Sequence, residues 1–293
     1  MTYYSAAQMA AKWHLAPSTV RRYCAEGRIK GAVRKNRIWQ IPADSAKPCT
    51  STKITLLSIL QREQKAHLSG GIYHRVQIDL TYNSNHIEGS CLTHDQTRYI
   101  FETNTIGISQ AAINVDDIIE TTNHFRCIDY IIEHAEQKLS ENFIRHLHNI
   151  LKSGTSDSRK DWFAVGEYKK LPNEVGGQAT AAPKDVSRQM QNLLRNYNQN
   201  NTQTLQDIIA FHVQFEKIHP FQDGNGRVGR LIMFKECLKY NIVPFIIGED
   251  LKLFYYRGLH EWHSEQGYLI DTCLSAQDRF KRILDYFCVP YAK

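Results

Sequence analysis

The stretch from Thr204 to Tyr240 constrains this chain more than any other part of it. Ile208, Phe211, Phe215 and Ile218 recur at three- and four-residue intervals and make one apolar stripe of helical period. Pro220 stops that helix after His219, because proline lacks an N–H and disfavours helix in the residue before it. Gly224 and Gly226 follow, and a second helical pattern runs from Arg227 to Tyr240. The two glycines permit backbone conformations that expose N–H groups, and the positive end of the second helix points into the loop. Helix, glycine loop and helix together make a cradle for an anion such as phosphate.

The side chains around that cradle suit the movement of a nucleotide. Asp223 is a hard oxygen ligand of the kind that holds a magnesium ion carrying phosphates. Arg227 and Arg230 lie three apart, so they share a helix face and can neutralise a polyphosphate. His219 titrates near neutrality and stands where it could take the proton of an attacking hydroxyl. Gly224, Gly226 and Gly229 also fit a dinucleotide fingerprint, with Glu249 about twenty residues on. That reading fails because the fingerprint must follow a strand, and the preceding stripe is helical.

The run His219-Pro220-Phe221-Gln222-Asp223-Gly224-Asn225-Gly226-Arg227-Val228-Gly229-Arg230 resembles the signature of the Fic family, His-x-Phe-x-(Asp/Glu)-Gly-Asn-Gly-Arg-x-x-Arg, at every defined position. The resemblance implies a protein adenylyltransferase: a target hydroxyl attacks the α-phosphate of ATP and pyrophosphate leaves. It implies His219 as base, Phe221 as the loop's core anchor and Asp223 as the Mg²⁺ ligand. Gly224, Asn225 and Gly226 would bind the α-phosphate, and Arg227 and Arg230 the β- and γ-phosphates. Family members that transfer a terminal phosphate carry Lys where this chain has Gly226. The implied partner is a protein bearing a Ser, Thr or Tyr hydroxyl.

Ser84-Asn85-His86-Ile87-Glu88-Gly89 ends another helical pattern, with Ser84 and Glu88 on one face and Gly89 as the stop. By itself this is an ordinary helix end. It resembles the inhibitory motif of the same family, (Ser/Thr)-x-x-x-Glu-(Gly/Asn), which implies that Glu88 pairs with Arg230 in the γ-phosphate's place. In some relatives the same glutamate supports removal of AMP, a second role the resemblance extends to Glu88. Residues 166–183 lose the helical pattern, and Gly176-Gly177 suggest a hairpin that resembles the family's flap, which pairs with the target's backbone. Tyr255 and Tyr256 are candidates to lie near the adenine, although aromatic residues on helices are more often core. His260-Glu261-Trp262-His263 is one residue short of zinc-protease spacing, His146 and His148 read as surface residues, and His212 reads as a packing neighbour.

The charge is concentrated at the start. Residues 1–48 hold nine basic and two acidic side chains, net +7, against +6 for all 293 residues, so the remainder carries −1. Ser5 can cap a helix to Trp13, a turn at 14–18 follows, and Ser18 or Thr19 begins a second helix to Glu26. Ile29 to Ile41 reads as two short strands around Lys35-Asn36. The plan resembles the winged helix-turn-helix of MerR and excisionase-type modules and suits DNA, with Thr19, Arg21, Arg22, Arg34, Lys35 and Arg37 at phosphates and groove edges. A single copy would bind weakly, which points to a homodimer. Seven dispersed cysteines, the absence of a leader-like start and an apolar run no longer than Ile242 to Ile247 point to a cytoplasmic chain with no membrane span.

The expected fold is mainly α: a Fic-type helical bundle with a small β-hairpin flap, plus the small N-terminal winged helix-turn-helix. The expected divisions are 1–48, a linker at 49–59, and 60–293. Helices are expected at Ile54–His67, Gly71–Ile87, Asp116–Gln137, Glu141–Leu151, Asp185–Tyr197, Thr204–Ile218, Arg227–Tyr240, Leu251–His263 and Leu269–Phe287. The alternative function is a transcription regulator that binds DNA and only senses nucleotide. The base His219 argues against it, since a pure sensor has no use for one.

Overall fold

Ser5 closes a capping box at the start of α1 (Ala6–Trp13): its hydroxyl accepts from the Gln8 N–H, and the Gln8 side chain accepts from the Ser5 N–H. The computed structural model describes residues 2–35, 38–48, 54–107 and 112–291. The chain divides into two units, Met1–Lys53 and Ile54–Lys293. In the first, α1 ends at His14 in the left-handed conformation. α2 (Pro17–Ala25) begins earlier than Ser18 or Thr19, because Pro17 takes the first helical position, where a missing N–H costs nothing.

Three strands complete this unit: β1 (Tyr3–Ser5), β2 (Val33–Lys35) and β3 (Ile38–Pro42), antiparallel in the order β1-β3-β2. Tyr4 lies opposite Ile41, and Arg34 opposite Trp39. β1 was not foreseen, since three residues are too few to show an alternation. Met9, Ala10, Trp13, Val20, Tyr23, Ile29 and Ile41 form the core. Lys12 and Lys47 belong to the structure of this unit, donating to Ala43 O and Trp13 O.

The second unit is helical, as expected. In order it holds α3 (Leu56–Lys65), α4 (Ile72–Ile87), α5 (His94–Thr103), α6 (Val115–Glu133) and α7 (Glu141–Lys152). A two-stranded hairpin follows, β4 (Glu174–Val175) and β5 (Gln178–Ala179). Then come α8 (Pro183–Tyr197), α9 (Leu205–Ile218), α10 (Asn225–Lys239), α11 (Lys252–His260) and α12 (Gly267–Tyr286). The periodicity missed α5, although Thr93 and Gln96 form a capping box there. Among the described residues no helix is long and apolar enough to cross a membrane.

α10 is buried nearly all round, from Asn225 to Leu238 with only Gly226 half-exposed. A helix without a solvated face is a core element, and the two larger apolar clusters of this unit converge on it. Val228, Leu231, Ile232 and Phe234 join the larger cluster, and Met233 and Cys237 join the smaller one with Ile209, Tyr255 and Cys273. Its two charges in the middle are paired: Lys235 with Glu236, and Glu236 with the Tyr197 hydroxyl at 2.9 Å. At the crossing of α11 and α12, a Cβ on Gly258 would lie 2.7 Å from the Leu269 Cα. Gly258→Ala is therefore expected to destabilise the chain by about 1–3 kcal/mol, because a backbone atom cannot move aside as a side chain can. A urea titration reads this, and a variant as stable as the parent would contradict the tight crossing.

Candidate functional site

The loop between α9 and α10 is built by one side chain. Asn225 Oδ1 accepts from the Phe221 N–H at 2.8 Å, and its Nδ2 donates to Phe221 O at 2.9 Å. Both ends of its amide thus bracket the Phe221 backbone and hold the loop. Gly224 caps α10 with φ +81, a conformation that favours glycine. Phe221 is fully buried, and its ring stacks on His148 at 3.9 Å between centroids.

His148 is not a surface residue. It is buried, accepts the Gly166 N–H on Nδ1 at 2.9 Å and contacts Asp223 O from Nε2 at 3.1 Å. Those two partners require the neutral ring with its proton on Nε2. Burial pushes its pKa down to about 3, in agreement. Counting two residues from His146 could not reveal this, because α7 turns its His148 face toward the loop.

His219 ends α9 in the left-handed conformation, φ +49. Its Nδ1 lies 3.3 Å from Glu216 O, an acceptor only, so Nδ1 carries the proton and Nε2 keeps its lone pair. Burial, with the nearby Lys169 ammonium adding to it, brings the His219 pKa down to about 4. The imidazole is therefore neutral at physiological pH.

Two charge clusters flank the loop. On one side the Lys152 ammonium, 2% exposed, donates to Asp223 Oδ2 at 2.6 Å and to Glu120, with Asp157 at 3.4 Å. Arg227 pairs with Glu120 and lies 3.3 Å from the same Asp223 oxygen. Burial opposes the charge on Asp223, but Arg227 and Lys152 outweigh it and hold its pKa down at about 2. Its side chain is half-exposed, so this carboxylate is both ionised and reachable.

On the other side Arg230, 5% exposed, donates through Nε to Ser84 Oγ at 3.0 Å, through Nη2 to Ser84 O at 2.8 Å, and to Glu88 Oε1 at 2.7 Å. Glu88 is the C-terminal cap of α4, and Gly89 turns the chain there with φ +99. The place of a Cβ on Gly226 is occupied by the Glu88 carboxylate. Only glycine leaves that space.

Sequence reasoning missed the layer beneath. Glu216 reaches within 3.8 Å of His219 Nδ1 and 4.0 Å of His212 Nδ1, and His212 Nε2 bonds the Tyr255 hydroxyl at 2.6 Å. Gly229 makes the room: a Cβ there would lie 2.6 Å from the His212 ring. Tyr255 is thus buried in this cluster, its ring 5.9 Å from the Arg230 guanidinium, while Tyr256 is partly exposed with its hydroxyl 3.3 Å from Ile87 O. Glu120 and Lys152 lie on α6 and α7, away from either motif, and left no sequence signal.

The hairpin β4–β5 pairs Glu174 with Ala179 around Gly176 and Gly177, both at positive φ, as a tight two-residue turn requires. Its strands are exposed. In the first unit Arg21, Arg22, Arg34 and Lys35 are exposed and Thr19 is half-buried; Arg37 lies outside the described residues. Arg22 has Glu26 at 3.7 Å, and Arg34 lies over the Trp39 ring.

Residues 138–237, within the helical unit, match the sequence model of the Fic/DOC family. The chain is 30% identical to the protein adenylyltransferase Fic of Drosophila melanogaster over 183 residues, 61% of this chain and 36% of that protein. It is 29% identical to the same-named protein of Drosophila persimilis over 221 residues, 74% of this chain and 40% of that one. It therefore spans little more than a third of the length of these relatives. Among solved structures, a Fic-domain-containing signaling protein of Bacteroides thetaiotaomicron superposes with a TM-score of 0.61 at 24% identity, covering 78% of this chain and 94% of that one. Fic-1 of C. elegans gives 0.61 at 20% identity, with 79% and 72% covered. These two share the fold.

Burial, with the Glu88 charge adding to it, pushes the Glu216 carboxyl up from 4.5 to about 8, while Arg230 acts the other way. Between those values the folded chain keeps a proton that the unfolded chain releases, so stability falls as pH rises through that window. Glu216→Gln, which cannot ionise, is expected to flatten this slope and to stabilise the chain more at pH 8 than at pH 5. Urea midpoints at the two pH values read it; an unchanged slope would show Glu216 ionised throughout.

Proposed function

We propose that this chain is a protein adenylyltransferase, transferring AMP from ATP to a hydroxyl of another protein and restrained by its own Glu88. The observation that carries the reading is His219: a neutral imidazole whose Nε2 keeps its lone pair, on the loop that leads into the helix carrying Arg227 and Arg230. A Ser, Thr or Tyr hydroxyl gives its proton to Nε2 while its oxygen bonds the α-phosphorus, and the bond to the β-phosphate oxygen breaks to release pyrophosphate. Main-chain N–H groups of Gly224, Asn225 and Gly226 at the start of α10 hold the α-phosphate, and Arg227 and Arg230 take the charge of the phosphates beyond it. Asp223 fits Mg²⁺, being ionised and half-exposed with a hard oxygen; when bound, the ion neutralises phosphate charge. The hairpin's exposed strands suit pairing with an extended target segment.

Glu88 pairs with Arg230 at 2.7 Å, so a phosphate that Arg230 is to hold would replace this carboxylate. Incubation with α-³²P-labelled ATP, Mg²⁺ and cell lysate tests both parts. Glu88→Gly is expected to raise label on protein at least about tenfold over the parent, and His219→Ala in that background to remove it. Equal labelling of Glu88→Gly and parent would discard the restraint. No label in any variant would discard the transferase in favour of a nucleotide-sensing regulator.

The first unit is read as a winged helix-turn-helix that binds DNA as a dimer. Two helices, a basic hairpin and the exposed Arg21, Arg22, Arg34 and Lys35 support this. A duplex DNA gel shift is expected to weaken as salt rises from 50 to 200 mM, and Arg34→Ala with Lys35→Ala to reduce the slope by about two. Binding that ignores salt would count against it.

A further inference from the structure

Lys169 stands at the foot of the hairpin and is 3% exposed. Its main-chain N–H donates to Pro220 O at 2.8 Å, and its ammonium donates to Ile218 O at 3.3 Å. Those carbonyls lie on either side of His219, whose left-handed backbone is one that a non-glycine residue keeps only when its surroundings hold it. The same ammonium donates to Asn173 Oδ1 at 2.7 Å and to Thr180 Oγ1 at 2.6 Å. Asn173 and Thr180 close the hairpin on each other, the Thr180 N–H and hydroxyl both meeting Asn173 O. Asn173 Nδ2 in turn donates to Phe221 O at 3.1 Å. The three protons of the ammonium are thus distributed between the hairpin and the backbone of the base.

These three recorded partners are neutral oxygens. The charge of Lys169 is therefore left to act on what lies near it, and His219 lies near it. Four groups bear on that imidazole: the charges of Lys169 at the hairpin's foot, Glu88 on α4 and Asp223 in the loop, and the main-chain carbonyl of Glu216 on α9. Lys169 is the only one of these four that favours the neutral ring; the other three favour its protonation.

We propose that Lys169 is a positioning residue that locks the hairpin and His219 into one unit, its ammonium set beside the imidazole it positions. Target segment and base then share one frame, so a hydroxyl presented along the hairpin meets Nε2 without a separate search. The inference deepens the adenylyltransferase reading and rests on it for the role of His219.

The test uses the whole chain labelled with ¹⁵N-histidine, as parent, Lys169→Met, Lys169→Arg and Asn173→Ala. NMR titration of His219 and hydrogen exchange of the hairpin amides need no turnover, and target labelling is measured in parallel in the Glu88→Gly background. Lys169→Met is expected to move the His219 midpoint up by about one pH unit and to speed hairpin exchange about tenfold or more. Lys169→Arg is expected to restore the midpoint, which a merely structural loss would not allow. Asn173→Ala should speed hairpin exchange with the midpoint in place. A folded Lys169→Met with both readouts unchanged overturns the proposal. Should that variant not fold, hairpin exchange in Asn173→Ala at the parent's rate overturns it instead. An inactive Glu88→Gly protein would count against the transferase alone, since the two spectroscopic readouts still decide the role of Lys169.

Discussion

A guanidinium out of water must have a counter-charge close by, and Arg230 sets that requirement at the centre of this structure. Removing such an ion from water costs several kcal/mol, which only good hydrogen bonds and an opposing charge offset. Ser84 and Glu88 supply both, and with them the end of α4 is fixed against α10. Under the proposed function, a nucleotide offers Arg230 one anion in exchange for another. On that reading the restraint would need no special device, because Ser84 and Glu88 already satisfy the arginine. Arg227 obeys the same rule on the opposite side, where Glu120, Asp223 and Lys152 form a cluster of alternating sign.

Both arginines are placed by α10, and α10 is placed by burial on every side. A helix with no solvated face has little freedom to rotate or slide, so charges on it are held to the tolerance of the packing around them. Its first turn is fixed separately. Asn225 brackets the Phe221 backbone, Phe221 stacks on His148, and His148 bonds both the loop and Gly166. The anion cradle is thus supported from α7 as well as from the two helices it connects.

The sequence carried the helices, the loop and its string of polar residues because each leaves a local mark. The stripe through Phe211 and Phe215, the stop at Pro220 and the glycines at 224 and 226 can be read without knowing what lies opposite. What stayed hidden depends on packing between distant segments. His148 seemed a surface residue because its sequence neighbours say nothing about Phe221. Glu120, Lys152, Glu216 and Lys169 occur in unremarkable helical or loop text and acquire partners only when α6, α7, α9 and the hairpin meet. β1 was lost to brevity. The α5 helix was a different case: the Thr93–Gln96 capping pair was legible and went unread beside a weak apolar stripe.

The void at Gly226 is shared property. It admits the Glu88 carboxylate, and the Arg230 guanidinium borders it on the other side. Any side chain there would have to displace Glu88, whose carboxylate stands where its Cβ would go. Release by removing the carboxylate and release by filling the space it occupies are therefore different events. Only the second brings a new atom to within 3.0 Å of the Arg230 guanidinium, so it acts on the arginine as well as on Glu88.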